Sequence, residues 1–226
     1  MLRERTPRPQ LFGPAAGAIL LVLALVAGCS HRPPLVPPPS PAPGGWEREG
    51  LASWYGVPYH GRKAADGEIY NMYQLVAAHR TLPFNSEIRV TDLQNGRQVV
   101  VRIIDRGPFV ENRIIDLSFA AARALDMVGP GVAPVRLELV SGPNPAAGEF
   151  TVQVGAFAIR ANAERLRQRL EPRWGPVFIQ EYDSPDGLLY RVRVGRVAGE
   201  TAGNQLAHQL REQEQFPATY VVRLDQ

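Results

Sequence analysis

Residues 99–109 read VVVRIIDRGPF, and the fold turns on how this run ends. Val99 to Ile104 are β-branched except for Arg102, which predicts a strand. Gly107 permits a sharp turn and Pro108 has no N–H for a neighbouring strand, so the ladder stops there. Asp105 and Arg106 are thereby held at the tip of an apolar strand, where opposite charges form either a structural clasp or the working end of a site. Upstream, Asn95-Gly96 separates this strand from IRVTDL (88–93) and is a strong hairpin signal. LASWYG (51–56), LVAAH (75–79), RIIDLS (113–118) and PVRLELV (134–140) are further strand-like runs. One helix is expected from Phe119 to about Asp126, with Ser118 available to cap its free amide groups. Six short strands with one helix favour a small closed barrel over an open sheet.

Beyond residue 149 the chain repeats itself. Val152, Val154, Gly155, Leu166 and Leu170 recur as Val192, Val194, Gly195, Leu206 and Leu210, every pair 40 residues apart. Each half is a strand, a glycine turn and a helix whose leucines lie four apart, closed by VFIQEY (177–182) or ATYVVRL (218–224). The expected result is βαββαβ, a split βαβ layer in which one sheet face meets two helices and the other meets solvent. Alternation directs the valines to the helices and Gln153, Arg191 and Arg193 outward.

Composition divides the chain. Arg3, Arg5 and Arg8 precede the apolar run AAGAILLVLALVAG, the pattern of an export signal too short for a membrane span. Val26-Ala27-Gly28-Cys29 resembles a bacterial lipobox, which implies cleavage before Cys29 and lipid attachment to it. Cys29 is the single cysteine, so no internal disulfide is available. Ser30 in the next position suits outer-membrane sorting. The expected boundaries are a signal peptide at 1–28, the lipidated cysteine and a proline-rich tether at 29–48, a barrel at 49–141, a linker at 142–148 and the repeat domain at 149–226. A net charge of +3 does not demand a nucleic-acid partner, and the single lysine among 25 basic residues reflects base composition rather than anion recognition. The four histidines and lone cysteine show no metal-ligand spacing, the glycines show no phosphate-loop spacing, and no cofactor is expected.

ASWYG, HGRKAADGE, AAHRTLPFNSEIRVTDLQNGRQVVVRIIDRGPF and RIIDLSFAAARAL together resemble the double-psi β-barrel of the rare lipoprotein A family, septal-ring lytic transglycosylases. FTVQVGAF and the duplicated half resemble a SPOR domain, which binds glycan strands stripped of stem peptides. The implied fold class is mainly β plus α+β, a six-stranded double-psi barrel followed by a βαββαβ SPOR domain. The chain departs from the family at Ala64, where Thr is frequent, at Asp66, where Asn or Ser is frequent, and at Ile104, where Asn is frequent.

The resemblance implies that Glu68, His79 and Asp105 form a catalytic cluster. It implies endolytic cleavage of peptide-free peptidoglycan at the division septum, on the periplasmic side of a membrane holding the Cys29 anchor. In that chemistry the substrate's own C6 hydroxyl attacks and leaves a 1,6-anhydro end, so one protein group acting as acid and then base suffices. Asp105, at a strand end, is the expected proton donor. Glu68 is the second acid/base or stabiliser, and His79 tunes a carboxyl group. Tyr55, Gln153, Arg191 and Arg193 are the expected glycan contacts. Asp116 is either a further site acid or a residue fixing the barrel, and Trp54, Tyr59 and Tyr70 are either core or sugar platforms. The alternative function is a non-catalytic septal glycan-binding lipoprotein; septal protein partners are unspecified.

Overall fold

The computed structural model describes residues 45–224. The signal peptide, Cys29 with its lipidation, and the tether up to residue 44 lie outside the described residues, as do the last two positions of the chain. Strands β1 (Glu47–Tyr55), β2 (Val76–Ala78), β3 (Glu87–Asp92), β4 (Gln98–Asp105), β5 (Arg113–Ser118) and β6 (Val132–Ser141), with helix α1 (Phe119–Ala124), make the first domain. The strands close into a barrel in the order β1-β5-β2-β4-β3-β6, with β1 parallel to β5 and β2 parallel to β4. β1 begins at Glu47, two residues before the expected boundary, and Trp46 packs on the barrel core.

The elements form where the sequence puts them. Gly96 takes φ 72° in the hairpin joining β3 and β4, and its N–H donates to Asp92 O at 2.9 Å. Ser118 caps α1, its Oγ accepting the Ala121 N–H at 3.2 Å. Val99, Val101 and Ile103 point into a core shared with Ile88, Val90, Ile115, Leu117, Val135 and Leu137.

One irregularity decides where β4 delivers its end. Against β2, Ala77 pairs with Ile103 but Ala78 pairs with Asp105, so Ile104 is an extra, bulged residue. Simple alternation from Val101 and Ile103 would drive Asp105 into the core. The bulge instead buries both isoleucines, Ile104 in a separate cluster with Ala64, Tyr70, Met72 and Val76, and turns Asp105 onto the barrel rim. Ala64 and Ile104, two of the departures from the family pattern, thus fill one apolar cluster together.

The second domain runs β7 (Glu149–Phe157), α2 (Arg160–Trp174), β8 (Val177–Ser184), β9 (Gly187–Ala198), α3 (Glu200–Glu214) and β10 (Tyr220–Leu224), with sheet order β10-β7-β9-β8. The two repeats meet as antiparallel central strands, Val152 opposite Val194. Val152, Val154, Val192, Val194, Leu170 and Leu210 form the core beneath the helices. The expectation that the other sheet face meets solvent is overturned. Gln153, Arg191 and Arg193 are only 4–7% exposed, and the face they share lies against the barrel.

Candidate active site

The rim where β4 ends is built from three pieces. Residues 61–70 form a small hairpin, with Gly61 N–H to Tyr70 O at 2.9 Å and Tyr70 N–H to Arg62 O at 2.8 Å. The Asp66 N–H pins it to β4 through Ile104 O at 3.0 Å. The second piece is β4 itself. The third is the end of β1 and the segment after it, which supply Trp54, Tyr55 and Tyr59.

Asp105 sits where these pieces meet. Its Oδ1 accepts the Ala65 N–H at 3.0 Å and the Arg106 N–H at 2.8 Å. Burial pushes its carboxyl above the ordinary range, against the pull of those two N–H groups and of the Arg191 and Arg106 guanidiniums. The paired charges of the strand tip divide their work. Arg106 is the clasp: its guanidinium lies 3.7 Å over the Phe84 ring and donates to His79 O at 3.0 Å.

Asp105 borders a cleft of about 830 Å³ lined by Trp54, Tyr55, Tyr59, Phe109, Phe119 and Tyr182. The Tyr55 ring stacks on Tyr70 with centroids 4.3 Å apart and meets Tyr59 edge-on at 5.6 Å. Tyr70 is core, its hydroxyl donating to Tyr55 O at 2.7 Å. The Tyr55 hydroxyl is buried with no hydrogen-bond partner among the described residues, and burial pushes its pKa well up. Asp116 borders the same cleft, accepting from Ser53 Oγ at 2.6 Å, and burial raises its pKa as well.

Two family-model matches account for most of this architecture. A double-psi barrel model described as lytic transglycolase matches residues 47–137, and a SPOR domain model matches residues 146–223. A relative from Campylobacter jejuni, named endolytic peptidoglycan transglycosylase RlpA, is 46% identical over 147 residues, 54% of this chain and 54% of its own length. One of the same name from Vibrio cholerae is 41% identical over 160 residues, 65% of this chain and 60% of its own. Across both described domains the chain is similar to proteins of the rare lipoprotein A family. It spans 54–60% of the length of these two relatives. Among solved structures, Streptomyces papain inhibitor matches 43% of this chain and 96% of its own at 24% identity, with a TM-score of 0.37.

The three residues expected from the resemblance to form a catalytic cluster occupy different settings. Asp105 alone of them borders the aromatic cleft. Glu68 is half-exposed on the hairpin and held by both guanidinium nitrogens of Arg102, at 2.9 and 2.8 Å, which keeps its carboxyl below the usual range. His79 follows Ala78, which faces the cleft, so the histidine side chain turns the other way. There it borders a cavity of about 500 Å³ with Arg48, Arg80 and Arg211. Its Nδ1 accepts the N–H groups of Thr81 and Leu82 at 3.1 and 3.0 Å, and burial, with Arg80 and Arg106, holds its pKa well below the ordinary histidine value. The backbone still links the two sites, since His79 N–H donates to Asp105 O at 3.1 Å.

Of the expected glycan contacts, Tyr55 and Arg191 line the cleft, whereas Arg193 lines a smaller one of about 340 Å³ on the other side of Asp105. Sequence reading did not single out Phe109, Phe119 or Tyr182. Tyr182 comes from the second domain, and nothing in VFIQEY says that its ring closes a cleft in the first. Phe109 and Phe119 carried the available signal, each falling next to a motif element already read as part of the site.

Proposed function

We propose that this protein is a lipid-anchored, periplasmic lytic transglycosylase that cuts within peptide-free peptidoglycan strands at the division septum. The observation that carries the reading is Asp105, a rim carboxyl with a raised pKa, fixed by two N–H groups beside an aromatic cleft. A raised pKa keeps a proton available nearer neutral pH, which is what a general acid needs. Aromatic faces suit the apolar faces of sugar rings, and Trp54, Tyr55, Tyr59 and Tyr182 line the cleft.

In this mechanism Asp105 protonates the glycosidic oxygen as the bond to the muramic C1 breaks. The C6 hydroxyl of the same sugar closes on C1, and the Asp105 carboxylate takes its proton. The protonated acid is regenerated without a protein nucleophile or an activated water. Glu68 and neutral His79 stand outside the cleft and are positioning residues, Glu68 by tying the 61–70 hairpin to Arg102 of β4 and His79 through the 79–82 turn. The SPOR domain match supports recognition of peptide-free strands, and the names of the relatives support the reaction. Attachment at Cys29, and to the outer membrane, rests on the lipobox and Ser30.

A second reading, a septal lipoprotein that grips glycan without cutting it, is favoured by one observation: Glu68 and His79 do not line the cleft that Asp105 borders. Mass spectrometry of peptide-free strands incubated with residues 46–226 separates the two. The lytic reading expects anhydro ends from the wild type and none from Asp105→Asn. Binding without cleavage establishes the second reading instead, and reducing ends would mean hydrolysis by water.

A further inference from the structure

The sheet face that should take glycan is already occupied. Arg191 lies between a ring of its own domain, Tyr182 at 3.5 Å, and one of the barrel, Phe109 at 4.5 Å. Phe109 in turn meets Tyr220 edge-on at 5.8 Å. On the edge strand β10, the Arg223 N–H donates to Arg80 O at 3.0 Å, and its guanidinium donates to Thr81 O at 2.9 Å and Pro145 O at 2.7 Å. At the far side of the contact, Arg62 of the barrel donates to Ser184 O and pairs with Asp183, both at 3.2 Å.

This docking divides the barrel rim. Asp105 borders both the 830 Å³ cleft and the 340 Å³ cleft, and Tyr182 and Arg191 line both as their shared wall. A polymer that must pass Asp105 with sugars on each side of the cut needs one continuous groove there. The wall comes from the second domain, so it leaves when that domain leaves.

Inter-domain contacts within a chain resemble transient interfaces, so a docked pair of this kind is able to part. Residues 142–148, which join β6 to β7, reach up to about 25 Å when extended, enough to part the domains.

We propose that the docked arrangement is a closed state, and that a peptide-free glycan strand opens it by competing with the barrel for the same sheet face. Targeting and activation are then one event, because the strand that captures the second domain also uncovers Asp105. The inference rests on the glycan reading above.

The test uses residues 46–226, small-angle X-ray scattering and binding of peptide-free strands, with Arg223→Ala and Arg62→Glu as two independent ways to weaken docking. The radius of gyration of the wild type is expected to rise on saturation with strands. Both variants are expected to be larger without glycan and to bind strands more tightly, by about tenfold where only about a tenth of the wild type is open. Strands bound by the variants but not by the wild type would support the closed state still more directly. Strand binding that leaves the radius unchanged overturns the closed state while keeping the glycan reading. No binding by wild type or variants overturns both.

Discussion

Replacing Asp105 by Asn changes the site at one atom. Oδ1 of Asp105 accepts the Ala65 and Arg106 N–H groups at 3.0 and 2.8 Å, and an amide oxygen accepts both as well. What is lost is the acidic proton and the charge. A positioned general acid contributes about 10²- to 10⁴-fold to rate, so kcat on peptide-free strands should fall by about that factor while KM changes little. Stability should move the opposite way. The folded carboxyl has a raised pKa because burial penalises its ionised form. That penalty is absent well below the unfolded value of about 3.9, grows as pH rises towards the folded value, and is constant above it. Asn removes the penalty. The melting temperatures of wild type and variant should converge near pH 3 and separate by a few degrees near pH 7, the variant higher, since each kcal/mol is about 2–4 °C in a chain of this size. Calorimetry across that range, run beside product analysis, makes both measurements on one preparation. A variant that is less stable at neutral pH, or that cuts at the wild-type rate, would refute the placement of Asp105 as a buried acid.

Ser118→Ala removes the cap on α1 and the bond from the buried Ser118 Oγ to the carbonyl of the exposed Gln74 at 2.6 Å. The expected loss is about 1–3 kcal/mol, seen as a drop of roughly 2–12 °C in the melting temperature. His79 is held neutral in the fold, so wild-type stability should fall as pH drops through the unfolded histidine value of about 6.5. His79→Asn, whose amide oxygen can replace Nδ1 for the Thr81 and Leu82 N–H groups, should show a shallower decline from pH 7 to pH 5 in thermal melts. Gly195→Ala forces a left-handed backbone, φ 74°, on alanine and brings its Cβ to 2.6 Å from Leu206 Cδ2. It should cost about 1–2 kcal/mol for the backbone and more for the clash, visible as early loss of amide protection in the second domain.

What was legible in the sequence follows from what each signal reports. Period-two alternation and Asn95-Gly96 report local geometry, and so the six strands, the hairpin and the Ser118 cap all stand where they were read. The 40-residue repeat likewise reports a supersecondary unit used twice. The Ile104 bulge is different in kind. It is a register event, settled by how Ala77 and Ala78 pair with β4, and one strand read by itself says that Asp105 faces the core. The side chain of His79 follows from the same register, because its neighbour Ala78 takes the face that lines the cleft.

The polar sheet face of the second domain marks the deeper limit. Alternation correctly assigned Gln153, Arg191 and Arg193 to the side away from the helices, but a face of arginines and glutamine looks the same in sequence whether it is covered by water, sugar or protein. The physical requirement is only that its donors find acceptors and its guanidiniums find rings or carboxylates. Glycan offers hydroxyls, acetamido oxygens and apolar sugar faces; the barrel rim offers Asp105 and the Phe109 ring. In the proposed competition the two partners use the same groups with the same kinds of contact, so neither excludes the other by chemistry. They exclude each other by space. A face with that property makes the occupancy of the second domain and the access to Asp105 a single equilibrium, which the supply of peptide-free strands is then able to shift.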